Sequence, residues 1–245
     1  MTSQVATRIG EAEVREALSR VRDPEIDEPI TDLGFVTSVV MTGDDAHVRL
    51  RLPTAFCAPN FAYLMVSDAM DAVREIPGIG KVDVVLDDNV DSERINAGVA
   101  AGLGFAGTFP DETESELEAL RQVFRAKAHL ASIERVVAAL MRDQALDPEG
   151  LAHLRLRALP DTPVARALRN RRADLGLTAD LDAYVLVDEH GERWDTGSLA
   201  VQLRFAKATR ISIDGNAHFC RGMLRTRYPE AAESQIPREQ DNFPT

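Results

Sequence analysis

The stretch FVTSVVMTGDDAHVRLRLPTAFCAPN, residues 35–60, reads as a β-hairpin running into a helix. FVTSVVM (35–41) is rich in β-branched residues, and TGDDA is a turn. In HVRLRLP, Val48, Leu50 and Leu52 alternate with His47, Arg49 and Arg51, the period-two pattern of a half-buried strand. Pro59 suits a first helical turn, so a helix is predicted over residues 59–75.

Working outward, Val14, Ala17, Leu18 and Val21 share one face of an upstream helix that Pro24 stops. Downstream, PGIG ends the second helix, and Val82, Val84 and Leu86 alternate in a third strand over 81–87. The order is α-β-β-α-β. Its last β-α-β crossover implies a parallel pair beside the antiparallel hairpin. The predicted fold class is α+β, a small domain with a three-stranded mixed sheet followed by a mainly helical domain with a short β-hairpin.

Residues 91–114 are rich in glycine and small side chains and read as a linker. Gly102, Gly104 and Gly107 match a formal G-x-G-x-x-G, but no strand directly precedes them, so the dinucleotide reading is set aside. From 115 to 143 a stripe of Leu117, Leu120, Phe124, Ala128, Ala131, Val137 and Leu140 predicts a long helix. Helices are expected near 148–158, 162–173, 197–208 and 215–227, with a hairpin near 184–195. The expected organisation is an α/β domain over 1–90, a linker over 91–114, a mainly helical domain over 115–230 and a flexible tail over 231–245.

Composition narrows the function classes. The 245 residues are 44% apolar and 28% charged, an ordinary globular balance. The net charge of −12 argues against general nucleic-acid binding. Acids outnumber bases 18 to 9 over residues 1–110 but only 22 to 19 over 111–245, which suggests two units with different surfaces. No apolar run approaches the ~20 residues a membrane helix needs, and no secretory h-region is visible. With two cysteines the chain has no disulfide framework, so a cytoplasmic setting is expected.

Cys57 is the most informative residue. It sits between a strand end and a helix start, where free N–H groups and the helix dipole favour a thiolate, both a metal ligand and a nucleophile. A small buried hydrophobe is the bland alternative. The preceding loop carries Asp23, Glu25, Asp27, Glu28 and Asp32, which read either as oxygen ligands and partner contacts or as solvated carboxylates. His218 and Cys220 stand two apart, and on a helix such positions do not share a face. His47, on the second strand, is too far along the chain to serve Cys57 as a base, which ranks a thiol enzyme last. No G-x-S-x-G, H-E-x-x-H, Walker A or C-x-x-C motif is present, and the chain is expected not to be an enzyme.

DPEIDEPITDLGFV, PTAFCAPN and KVDVVLD together resemble the PaaD/SufT-like metal–sulfur cluster assembly domain family. The matching positions are Asp23, Pro24, Glu25, Asp32, Leu33, Gly34, Val36, Thr54 and Cys57, within about residues 10–90. The resemblance implies a role in maturing or delivering iron or iron–sulfur cofactors, held transiently. It implies Cys57 as metal-binding thiol, with Asp23 and Glu25 as further metal-site residues and Thr54 beside them, and a homodimer. The cysteine-rich C-terminal segment of one branch is missing. Metal binding would therefore need a second subunit, carboxylates, Cys220 or a client's ligands. The rest of the chain resembles extended members that accompany bacterial soluble di-iron monooxygenases, which would make the partner a client metalloenzyme of that kind. The alternative is a metal-free interaction module or assembly chaperone.

Overall fold

The structure, a computed structural model, describes residues 9–142 and 148–229. The chain divides into two compact units, one built from residues 1–114 and 217–245, the other from 115–216.

In the first unit, α1 (Glu11–Leu18) buries Val14, Ala17 and Leu18, the face its periodicity predicts. β1 (Val36–Thr42) and β2 (Asp45–Arg51) pair antiparallel, and β2 pairs parallel with β3 (Val82–Asp87). The sheet order is β1-β2-β3. The mixed sheet expected from the crossover is therefore present. In β2, Ala46, Val48 and Leu50 are buried while His47 and Arg49 are exposed. The crossover helix α2 (Pro59–Arg74) buries Tyr63, Leu64, Met65, Val66, Met70 and Val73. Fully burying a side chain of this size contributes about 1.5–3 kcal/mol.

The stretch expected as a linker instead holds two helices, α3 (Ser92–Ala100) and α4 (Gly104–Thr108). Small residues here serve close packing. A Cβ on Gly98 would collide with the side chain of Thr108. Gly104 turns between the helices with φ +71°, and a Cβ there would stand 2.6 Å from a Glu114 carboxylate oxygen. That oxygen accepts from the Ala106 N–H at 2.9 Å.

The second unit contains α5 (Glu114–Arg142) from Ser115 onward, α6 (Pro148–Ala152), a short 3-10 turn at Leu156–Ala158 and α7 (Pro163–Asp174). Its core gathers Ile133, Val137, Leu154, Leu168, Val185 and Leu186. The region near 184–195 closes as a tight turn with one antiparallel bridge, Val187 to Arg193, rather than a two-strand ladder. The helices expected at 197–208 and 215–227 form one, α8 (Leu199–Arg227), whose residues from Ala217 onward belong to the first unit. The tail expected over 231–245 lies outside the described residues.

Candidate functional site

Cys57 stands on the loop between β2 and α2, one residue before the helix N-cap Ala58, as the Pro59 signal predicts. The loop is held by short polar contacts. Thr54 Oγ1 accepts from the Phe56 N–H at 3.1 Å and lies 3.5 Å from Cys57 Sγ, where either group can donate. The Val90 N–H donates to the Ala55 carbonyl at 2.9 Å, and Asn89 Nδ2 donates to the Cys57 carbonyl at 3.4 Å. Asn89 is buried and also accepts from the Asp91 N–H at 2.9 Å, so it ties the thiol loop to the end of β3. Cys57 is half-buried, and its neighbour Phe56 is 81% exposed.

Asp23 is not a solvated carboxylate. It is 8% exposed, and its Oδ1 accepts from the Glu25 and Ile26 N–H groups at 2.9 Å each. Desolvation pushes its pKa up to about 6; the two backbone donors oppose the rise, and Glu25 and Glu28 add to it. The Asp23 carbonyl accepts from Asp27, which sits at φ +59°. These bonds fold the D-P-E-x-D stretch into a tight turn, and Glu25 is half-buried on it.

The last turns of α8 complete the surroundings within this unit. Burial pushes the Cys220 thiol up to about 11, and Asp23, Cys57 and Glu25 add to the rise. Cys220 therefore shares the electrostatic neighbourhood of Cys57 and the D-P-E turn. Arg221 pairs with Glu28 of the acidic loop. Arg227 donates to the Leu52 carbonyl at 3.3 Å and to the Asp88 carbonyl at 2.5 Å, bracketing the thiol loop at both ends. Tyr228 donates to Asp88 at 3.0 Å and lies under the Arg51 guanidinium at 4.4 Å. His218, Phe219 and Met223 line a cleft with Pro53, Thr54 and Phe56. Among the described residues no group of three or more His, Cys, Asp or Glu side chains is placed to hold a metal ion. His47 lies on β2 with its Nδ1 3.7 Å from Asp83 Oδ2.

Sequence reasoning singled out Cys57, Thr54, Asp23 and Glu25. It offers Cys220 only as one of several possible completing ligands and does not find Asn89 or the bracketing Arg227. The signal for Cys220 was weak, because two cysteines 163 positions apart carry no spacing rule. Asn89 follows the third predicted strand and carries no motif or spacing signal.

Residues 11–84 match the family model described as iron-sulfur cluster assembly protein. Iron-sulfur cluster carrier proteins of Mycobacterium bovis and Mycobacterium tuberculosis are each 39% identical to this chain over 92 residues, 36% of this chain and 23% of theirs. The matched region thus spans about a quarter of those relatives. No solved structure matches the chain. The unit that presents Cys57 is accordingly similar, over residues 11–84, to iron–sulfur cluster assembly proteins.

Proposed function

We propose that the chain is a non-enzymatic accessory protein that delivers or helps assemble an iron–sulfur cluster or iron site in a client metalloenzyme, with Cys57 as the working thiol. The observation that carries this reading is the placement of Cys57. It is accessible, backed by Thr54 and held at a helix start inside the segment similar to cluster assembly proteins. Cluster or iron is cargo here, taken up and handed on. The chain's own described residues offer fewer than three ligands in one place, so the cargo is shared. Cys57, with Cys220 nearby, supplies one side, and a second copy of the chain or the client supplies the other. A bound cation would displace the Cys220 proton, which makes uptake favoured by rising pH. The exposed Phe56 and Phe219 give a client an apolar foothold beside the thiol. The helical second unit is the reading's candidate for client selection, and a di-iron monooxygenase is the client class proposed.

Protein purified without oxygen, wild type beside Cys57→Ser, tests this. Iron and sulfide-to-iron absorption lost in the variant, together with lost client maturation, is the expected result. Full client maturation by Cys57→Ser would remove the thiol from the mechanism. A second reading is a metal-free assembly chaperone, in which the exposed Phe56 and Phe219 hold the client without a metal. Client binding with no metal in either protein would select it.

A further inference from the structure

The sheet of the first unit has two edges, and they are finished differently. Along β3 the Leu86 N–H donates to Asn96 Oδ1 at 2.8 Å, and the Leu86 carbonyl accepts from Asn96 Nδ2 at 3.0 Å, so a side chain of α3 occupies that edge. Asp83 and Asp87 add charge along it. The other edge, β1, carries neither device. Its sequence, VTSVVMT, has no charge and no proline, and among the described residues only β2 pairs with its backbone. A bulge interrupts the ladder between Val36 and Ser38, but residues 38–42 run in regular register. Proteins ordinarily blunt an open edge with charge, proline, a bulge or a cover, because its free N–H and C=O groups template another strand. Val40, at the middle of the regular stretch, is 54% exposed.

The strand that this stretch fits is its own copy, run antiparallel. Val39 and Met41 lie opposite the buried Val48 and Ala46 of β2, while Val40 lies opposite the exposed His47, Ser38 opposite Arg49 and Thr42 opposite Asp45. A twofold axis at Val40 sets Val40 beside Val40, Val39 beside Met41 and Ser38 beside Thr42, and every side chain keeps its face. The apolar row of Val48 and Val39 then continues into Met41 and Ala46 of the second copy. On the open face, the row of Arg49 and Ser38 continues into Thr42 and Asp45 of the second copy, so hydroxyls meet at its centre and opposite charges stand at its ends. Neighbouring registers fail. A slip of one residue sets the buried-face Val39 against the open-face Val40. A slip of two runs into the bulge or into Gly43, which turns with φ +67°. A strand from another protein would carry no reason for this match of β1 with itself.

We propose that two copies of the chain join through β1, antiparallel and centred on Val40, into one continuous six-stranded sheet. The contact is isologous, so it occupies the free edge of both copies and closes on itself. It needs neither metal nor thiol and stands apart from the cluster reading. A single strand pair is a small interface, so the dimer dissociates on dilution.

Sedimentation equilibrium of the full-length protein tests this, in reductant and chelator so that neither a disulfide nor a metal bridges copies. At about 100 µM, a concentration suited to a small interface, a mass near twice the 26.9 kDa of one chain is expected. Val40→Lys and Val40→Glu each set like charges face to face at an exposed position. Each is expected to weaken the dimer at least about tenfold, with circular dichroism unchanged. Mixed in equal amounts, the two variants are expected to pair with each other within about threefold of the wild-type affinity. A wild type that is monomeric at that concentration overturns the proposal and leaves the edge to a strand of another protein. A dimer that neither variant weakens also overturns it, because the contact then lies elsewhere on the surface. A mixture that stays monomeric overturns the register centred on Val40, and the proposal with it.

Discussion

Two buried titratable side chains have native pKa values displaced in opposite directions. Asp23 is raised from 3.8 to about 6 by burial, so the folded state holds its proton more tightly than the unfolded chain does. Its contribution is fully present below pH 3.8 and is lost as pH rises through 6. His129 is lowered from 6.5 to about 4, so its contribution is present above pH 6.5 and lost as pH falls toward 4. The two oppose each other across one window, and whole-protein melting hides both. Asp23→Asn keeps a side-chain oxygen for the Glu25 and Ile26 N–H groups and removes the buried charge. At pH 7 it is expected to stabilise the first unit by about 1–3 kcal/mol. Residue-resolved hydrogen exchange checks this. Protection of α1 and β1 should fall between pH 4 and pH 6 in the wild type and stay level in the variant. A variant that is less stable at pH 7 would show that the carboxylate is needed ionised. At this scale Cys57 and Thr54 were legible because their spacing is a motif. The burial of Asp23 was not, because a D-P-E turn reads the same whether it faces water or the core.

At the scale of elements, the hydrophobic periods carried α1, β1, β2, α2, β3 and α5 close to their observed bounds. The misreading fell on α3 and α4, where glycine and alanine were taken for flexibility. Composition cannot distinguish a chain that is loose from one that must approach another helix closely. Gly98 is the test position. Gly98→Ala adds helix propensity but drives a methyl into Thr108. Overpacking of this kind is expected to destabilise by about 1–3 kcal/mol. Gly98→Ala with Thr108→Ala, which removes the Oγ1 and Cγ2 that the new methyl would meet, should recover part of that loss, and chemical denaturation of the single and double variants measures the coupling. Asn89→Ala is expected to leave the helices intact and loosen the thiol loop, seen as faster alkylation of Cys57, because Asn89 Nδ2 no longer bonds the Cys57 carbonyl.

At the scale of the whole molecule, the chain returns to its first unit. A boundary near residue 90 follows from reading the sequence in order, but Ala217–Arg227 packs back with the N-terminal residues. A signal for the unbroken helix was present. Ala206, Ile213, Ala217 and Leu224 are its buried positions, spaced seven, four and seven, one stripe that runs on past Gly215. Where that stripe docks has no sequence signature, because it depends on surfaces far apart in the chain. Leu224 is 5% exposed and lies against Gly34, whose φ of +76° sets the turn into β1. Leu224→Ala is expected to cost about 2–4 kcal/mol. Arg227→Ala removes two bonds to carbonyls at either end of the thiol loop, at about 1–3 kcal/mol, since the donor is charged. If the helix end is part of the site's frame, both variants speed hydrogen exchange and thiol alkylation at residues 52–57 and 88–90 while α7 keeps its protection. If instead the first unit stands on residues 11–90 alone, both variants leave that loop's exchange unchanged.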